Sequence, residues 1–478
     1  MGSILQLTRR DFLKITASGV AIMAMLRRVS AQLGKIDRLN IVVILADDLA
    51  FYEIGCYGGK NVKTPNIDRL AAEGMRFTSA FASEAMCVPI RSSLYTGLFP
   101  VRHGACHNHQ SVKVDTRSVP HYLRPLGYRV GLTGKLHVKP KESFPFEIVP
   151  GFEPNCVALT AGYSMDGVRE FMTRDSVQPF CLFVCSTLPH APWTAGDAAK
   201  YPPEKLILPP VWADTPDTRI AFSKYCAEVE ALDRQVGDVV RILEETGQKD
   251  KTVLMFCGEQ GAQFPGAKWT LFEPGIRSAV IARWPGRIKA GVTSTAIIQY
   301  EDVLPTLMEL AGGSAERNLD GVSFAGVLTG NRTDAREYAY GVHNNVPEGR
   351  PYPVRSIRSK KYKLILNLVS ENDYHEKHLM DIDRENYWKS WVVAAKTDLH
   401  TAKWVNRYTR RPAVELYDVE KDPWELENIA ERAEMGNVRR ELEGKLREWM
   451  NQQGDAGADL DQEPVPGTQA REKKRTKK

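Results

Sequence analysis

The chain has 478 residues, 43% of them hydrophobic and 26% charged, with 64 Lys and Arg against 59 Asp and Glu. This is an ordinary globular composition, and it excludes a disordered, collagen-like or multi-span membrane protein. The nominal charge of +5 belongs to the ends. Without the six bases and one acid of the last eight residues, and the five bases and one acid of the first 31, there remain 53 bases against 57 acids. A nucleic-acid binder that neutralises phosphates would show the reverse, so no nucleic-acid partner is expected.

In chain order, Thr8-Arg9-Arg10-Asp11-Phe12-Leu13-Lys14 is a twin-arginine pattern. An apolar run from Ile15 to Leu26 follows, too short to span a bilayer comfortably, and then the small-residue site Val29-Ser30-Ala31. Residues 1–31 therefore read as a signal for the twin-arginine export machinery, with a periplasmic or secreted destination.

Leu39 to Leu45 is a continuous apolar run, as expected of a strand buried on both faces in a parallel sheet, and it stops at Ala46-Asp47-Asp48. Thr64-Pro65 opens a helix with Ile67, Leu70 and Ala71 on one face and Gly74 as its stop. Apolar runs recur at Phe180 to Val184, Thr252 to Phe256 and Ala279 to Ala282, with a helical stretch from Ile220 to Thr246. Strands alternating with helices predict an α/β sandwich around a mostly parallel sheet, with functional groups on loops beyond the carboxyl ends of the strands.

After residue 335 the pattern changes. Val354 to Arg358 and Tyr362 to Leu366 flank Lys360-Lys361 as a hairpin, Glu415 to Asp418 is a short strand, and Val438 to Met450 is an amphipathic helix. The organisation expected is an export signal over 1–31, a catalytic domain over 32–335, a C-terminal subdomain with a small antiparallel sheet and one helix over 336–451, and a disordered basic tail over 452–478. The eight cysteines show no CxxC, which argues against a zinc ribbon.

Chemistry concentrates in Cys87-Val88-Pro89-Ile90-Arg91-Ser92-Ser93-Leu94-Tyr95-Thr96-Gly97. A cysteine at a helix start is either a buried core residue or a nucleophile favoured by helix-terminal N–H groups, with Arg91 one turn on. Asp47 and Asp48 are hard oxygen ligands suited to Ca²⁺, or to Mg²⁺ with retained waters, and a cation would offset their repulsion. An isolated Asp-Asp pair is otherwise a solvated turn. Lys135 and His137 lie two apart after a short strand, so extended geometry would bring both to one face and one anion. Each of these signals, like Pro189-His190, is weak alone.

Together they resemble the sulfatase family. The eleven residues from Cys87 match the signature C-x-P-x-R-x-x-x-x-T-G at every defined position. Further blocks stand in the usual order: Asp47-Asp48, the Thr64 to Ala71 segment, Gly134-Lys135-Leu136-His137, Pro189-His190-Ala191-Pro192, the Lys268 segment, Pro274-Gly275-Ile276-Arg277, Arg283-Trp284-Pro285-Gly286 and Leu416 to Pro423. The resemblance covers roughly residues 38 to 430. Gly134 to Glu147 and Phe264-Pro265 look most like the sulfamidase (heparan N-sulfatase) branch.

The resemblance implies an alkaline-phosphatase-like sandwich. It also implies that a maturation enzyme oxidises Cys87 to formylglycine, whose hydrate attacks sulfur. Calcium (or magnesium) would be held by Asp47, Asp48, Glu259, Gln260 and residue 87. Arg91 would stabilise the formylglycine, and Lys135 and Lys268 would neutralise sulfate oxygens. His137 would take the second hydroxyl's proton, and His190 would assist the leaving group. One departure stands out: Gly258-Glu259-Gln260-Gly261 occupies the place of Ser-Asp-Asn/His-Gly, so both ligands keep their chemical type but gain a methylene. The expected substrate is a sulfated carbohydrate carrying an N-sulfate or O-sulfate. The competing readings are a phosphonate or phosphodiester hydrolase on the same fold and a non-catalytic glycan-binding relative.

Overall fold

The computed structural model describes residues 39–159 and 162–462. The export signal expected over 1–31 lies outside the described residues, as do residues 463–478 of the basic tail.

The first sheet holds nine strands: β1 (Asn40–Leu45), β2 (Met75–Phe81), β3 (Arg129–Gly134), β4 (Glu147–Ile148), β5 (Phe180–Cys185), β6 (Thr252–Cys257), β7 (Arg277–Arg283), β8 (Val292–Ser294) and β9 (Ile298–Gln299). Their order is β4-β3-β5-β1-β6-β7-β2-β8, with β9 also on β2. All pairings are parallel except those of β7, which runs against both β6 and β2. Every residue of β1, β5 and β6 is buried, which explains why these strands read as unbroken apolar runs.

Register is what builds the site. Leu45 pairs with Cys185 on one side and Cys257 on the other, and Gly134 pairs with Cys185. The carboxyl ends of β3, β5, β1 and β6 are thus level, and the chain leaves each strand at the same rim. Asp48, His137 and Glu259, each just past a strand end, adopt left-handed backbone conformations with φ of 60°, 53° and 60°. Such conformations are costly for side-chain-bearing residues and are concentrated at functional sites.

Helix α1 (Pro65–Ala72) buries Ile67, Leu70 and Ala71, as its spacing predicts. Helix α2 (Cys87–Thr96) is buried along its whole length and ends at Gly97, which takes φ +69° as a left-handed cap. The long helix α3 (Pro216–Glu245) starts four residues earlier than its apolar pattern suggests, because the Thr215 side chain accepts the Thr218 N–H as an N-cap.

The second sheet is antiparallel, in the order β10 (Ala339–His343), β11 (Val354–Arg358), β12 (Tyr362–Asn367) and β13 (Val414–Asp418). Helix α4 (Tyr387–Ala394) packs toward α3, and helix α5 (Gly436–Gln453) covers the second sheet with Leu442, Leu446 and Trp449.

The expectation that disorder begins at Gln452 is corrected. Helix α5 continues to Gln453, and the segment as far as Asp461 is bound to the second sheet and its neighbouring loop. The buried Arg355 needs a carboxylate and finds Asp455, Nε to Oδ2 2.5 Å. Asp461 accepts the backbone N–H groups of Asn345, Val346 and Tyr352 at 2.7–2.8 Å. Unmet buried polar groups hold this segment down despite its Gly- and Asp-rich sequence.

Candidate active site

Cys87 is the first residue of α2, and its Sγ lies 3.6 Å from Asp47 Oδ1. The Gln260 amide donates to the same sulfur over 3.3 Å and to Asp48 Oδ1 over 2.6 Å. One turn along α2, Arg91 is sealed from solvent: Nε meets Glu259 Oε1 at 2.5 Å, and NH1 donates to the Lys135 carbonyl over 2.5 Å. Lys135 Nζ holds Asp47 Oδ2 and Lys268 Nζ holds Asp48 Oδ2, both at 2.6 Å. His190 directs Nδ1 to the Ala191 carbonyl at 2.5 Å, leaving Nε2 3.6 Å from Asp48 Oδ2.

The loops carrying these groups are pinned from behind. Tyr225 Oη donates to the Asp48 carbonyl and accepts the Ala50 N–H, and Tyr300 Oη accepts the Glu259 N–H over 2.9 Å. A side chain on Gly134 would bring its Cβ within 2.0 Å of the Cys185 carbonyl, so only glycine lets β3 release the chain toward Lys135.

All ten residues singled out from the sequence, Cys87, Arg91, Lys135, His137, His190, Lys268, Asp47, Asp48, Glu259 and Gln260, come together at the level strand ends. Lys135 and His137 converge by a different route from the one expected. His137 is in a left-handed turn after β3 has ended, so the shared direction comes from that turn and not from strand alternation.

The electrostatics follow from burying three carboxylates among three permanent cations. Burial opposes ionisation of Asp47, but Lys135, His190 and Arg91 hold its pKa well below the usual carboxylate range. For Asp48 burial wins over Lys268 and His190, and its pKa is raised. The Cys87 thiol is pushed up by burial and pulled further down by Lys135 and Lys268, ending well below an ordinary thiol. Burial and Lys268 disfavour a charged His190, but Asp48 and Asp47 raise its pKa well above the ordinary value; burial lowers that of His137.

The donor set fits a hard divalent cation. Ligand atoms of Asp47, Asp48, Cys87 and His190 all lie within 4.8 Å of one another, and Gln260 Oε1 is buried with no hydrogen-bond partner. Asp47 and Gln260 thus each offer an oxygen not claimed by the lysines. Glu259 is placed differently from the other expected ligands: one oxygen faces Arg91, and the other faces the Asp48 N–H at 3.4 Å.

The site opens into a cleft of about 400 Å³ whose walls include Cys87, Lys135, His137, His190 and Lys268. The sequence reading missed several of its residues. His109 packs edge-on against His137, and Cys156 hydrogen-bonds His190, which lowers its thiol pKa against the effect of burial. The Trp269 ring stacks on that of His378, and Lys268 Nζ lies 4.7 Å from its centre. Among the missed groups, only His107-Asn108-His109 carries a local signal, as a histidine pair soon after the Cys87 segment; Cys156 and His378 have none.

A mostly parallel sandwich with a cysteine, two histidines and buried lysine–carboxylate pairs at its rim defines a hydrolase of anionic esters. A sulfatase family model matches residues 39–314, and the model described as N-sulphoglucosamine sulphohydrolase, C-terminal, matches residues 263–389. An ulvan-active sulfatase of Formosa agariphila is 32% identical over 431 residues, covering 88% of this chain and 81% of the relative. Human N-sulphoglucosamine sulphohydrolase is 27% identical, covering 86% and 89%. The structure of BT4656 in complex with its substrate D-glucosamine-2-N, 6-O-disulfate shares the fold, with a TM-score of 0.68 at 22% identity over 89% of this chain and all of that one. So does the phosphonate monoester hydrolase of Agrobacterium radiobacter, with a TM-score of 0.65 at 18% identity over 87% and 96%. The chain belongs to the sulfatase family and is a hydrolase of sulfate esters or sulfamates.

Proposed function

We propose that this chain is an exported sulfatase that removes a sulfate or sulfamate group from a sulfated glycan, with a formylglycine made from Cys87 by a maturation enzyme. The observation that carries the reading is the convergence of Cys87, Lys135, His137, His190 and Lys268 on one cleft, with Arg91 buried one turn along α2 against Glu259. Export through the twin-arginine machinery, to the periplasm or beyond, rests on Thr8 to Lys14.

The hydrated aldehyde would supply a hydroxyl nucleophile for sulfur at position 87. A calcium or magnesium ion, held by Asp47, Asp48, Gln260 and residue 87 with Glu259 beside them, would supply positive charge for a sulfate oxygen. The chain's own residues do the rest. Lys135 and Lys268 neutralise the remaining sulfate oxygens, and Arg91 fixes residue 87 relative to Glu259. His137, kept neutral by burial, takes a proton near residue 87. His190, kept protonated by Asp48 and Asp47, gives one to the leaving group at Nε2.

A sulfated amino sugar is the favoured substrate class. The match of residues 263–389 to the N-sulphoglucosamine sulphohydrolase C-terminal model supports it, as do the segments Gly134 to Glu147 and Phe264-Pro265. The test is release of inorganic sulfate from glucosamine-2-N-sulfate, glucosamine-6-O-sulfate, p-nitrophenyl sulfate and a phenyl phosphonate ester by matured protein and by Cys87→Ala. Turnover of a sugar sulfate that Cys87→Ala abolishes supports the reading. Turnover of the phosphonate alone replaces it with a phosphonate hydrolase, and retained activity in Cys87→Ala refutes the nucleophile.

A further inference from the structure

The cleft has a wall that the hydrolytic chemistry leaves unused. It is formed by Gln263, His378, Ile382, Arg384, Glu385 and Tyr387, beyond the reach of the residue 39–314 sulfatase match except for Gln263. Of the three lysine or arginine side chains lining the cleft, two belong to the hydrolytic centre: Lys135, paired with Asp47, and Lys268, paired with Asp48. Arg384 is the third. Among the described residues it has no carboxylate partner and no hydrogen bond, and it is exposed to the cleft's solvent.

A surface arginine without a partner is commonplace; this one sits on a fixed backbone. Its neighbour Glu385 is tied to Lys224 Nζ of α3 at 2.6 Å. Asp383 accepts the Lys389 N–H over 2.8 Å, and Tyr387 Oη donates to the Gln263 carbonyl over 2.9 Å. The Lys224 pair also neutralises the carboxylate next to Arg384, so Glu385 is not available to quench it. Ile382 exposes 45% of its surface in the same wall, beside the stacked pair of His378 and Trp269. An apolar face edged by a free guanidinium suits a sugar ring that bears an oxyanion. A cleft of about 400 Å³ has room for more than the group being hydrolysed.

We propose that Arg384 is a specificity-determining residue that binds a second oxyanion of the substrate, a carboxylate or a second sulfate, separate from the one cleaved at residue 87. This rests on the sulfated-sugar reading above, and it narrows the substrate class to sugars carrying at least two anionic groups. Guanidinium pairs with both oxyanions through parallel N–H donors, so the shared chemistry is a planar or trigonal set of anionic oxygens.

The test is calorimetric titration of full-length Cys87→Ala protein, with and without Arg384→Gln or Arg384→Lys, in calcium buffer. The probes are glucosamine-2-N-sulfate, glucosamine-2-N,6-O-disulfate and a glucuronate-containing disaccharide of glucosamine-2-N-sulfate. The readout is the ratio of affinities for each dianionic probe and the monosulfate. We expect a ratio of about tenfold for at least one dianionic probe, falling to about one in Arg384→Gln and largely restored in Arg384→Lys. The probe that shows the gain identifies the second anion as sulfate or carboxylate. A ratio near one before substitution, or one unchanged by Arg384→Gln, overturns the subsite while leaving the sulfatase reading intact. Failure of all three probes to bind overturns the sulfated amino-sugar reading and the subsite with it.

Discussion

Asp47 Oδ2 and Lys135 Nζ meet at 2.6 Å with neither side chain open to solvent. The pair joins the ends of β1 and β3, and it leaves Asp47 Oδ1 facing Cys87 Sγ. Removing one member of a buried pair strands the other charge, at a cost of about 3 kcal/mol. Lys135→Met keeps the stem and deletes the charge. Its unfolding free energy in chelator should fall by about that much. The loss should shrink in millimolar calcium, because a cation beside Asp47 replaces part of the missing positive charge. A loss of the same size with and without calcium would count against cation binding at Asp47.

Glu259 tests the fit of the longer ligand. Its Oε1 contact to Arg91 Nε is 2.5 Å, and the carboxylate hangs from a left-handed backbone position. Glu259→Asp withdraws the carboxylate by one methylene, so Arg91 loses its nearest carboxylate and keeps only the Lys135 carbonyl and Asp47 at 3.7 Å. Activity should drop at least tenfold. Asp48→Ala, which removes a carboxylate that faces Cys87 and Gln260, should abolish calcium-dependent thermal stabilisation. Sulfate-release assays decide the first, and calcium titrations followed by melting temperature decide the second. A Glu259→Asp protein with higher activity and tighter calcium binding would mean the site merely tolerates glutamate.

His190 separates substrates by leaving group. Its Nδ1 is occupied by the Ala191 carbonyl and its pKa is raised by neighbouring carboxylates after burial has opposed it, so Nε2 carries the available proton. An aryl leaving group departs without help, whereas a sugar alkoxide or amine requires protonation. His190→Ala should lower kcat on a sugar sulfate about a hundredfold and on p-nitrophenyl sulfate by far less. Equal losses on both would remove His190 from the leaving-group role.

The sequence makes the rim of the sheet legible because its strands are buried on both faces. The apolar runs at β1, β5 and β6 stop at Leu45, Cys185 and Cys257, and Asp47-Asp48, His190 and Glu259-Gln260 follow within a few residues of those ends. The Cys87 segment is legible through its spacing. Strand β2 is not, because Arg76, Thr78 and Ser79 interrupt it, and an apolar run such as Ala279 to Ala282 carries no information about direction; β7 is antiparallel. The wall around His378 and Arg384 reaches the site only through tertiary folding, more than 280 residues after Cys87. Asp455 and Asp461 look like tail residues until the buried groups they satisfy are seen.

That last point is testable by truncation. Chains ending after residue 451 lose Asp455, leaving the Arg355 guanidinium buried without its carboxylate, at a cost of about 3 kcal/mol. Chains ending after residue 462 keep both aspartates and should match the full chain in denaturant midpoint. Equal midpoints for the two truncations would show that Arg355 finds another partner.

Glu301 gives a pH signature away from the cleft. Burial pushes its pKa up to about 7, against the bond from Ser83. The folded state therefore holds a proton that the unfolded chain releases near the ordinary glutamate value of 4.5. The stabilisation is complete below that value and is lost as pH rises through about 7. Between those limits, stability falls by up to about 1.4 kcal/mol per pH unit from this group. Glu301→Gln should remove that component, so the difference between variant and wild type should grow in the variant's favour from pH 5 to pH 8. A difference independent of pH would mean Glu301 is ionised in the folded protein throughout.

The central claim is that residue 87 acts as a formylglycine. Protein should be isolated from its source organism as the fraction that releases sulfate, and the peptide spanning residue 87 analysed by mass spectrometry with and without an aldehyde-specific hydrazide. The account predicts a mass consistent with CHO in place of CH2SH, and a hydrazone on that residue in proportion to specific activity. An unmodified cysteine at position 87 throughout a fraction that turns over sulfate would contradict it.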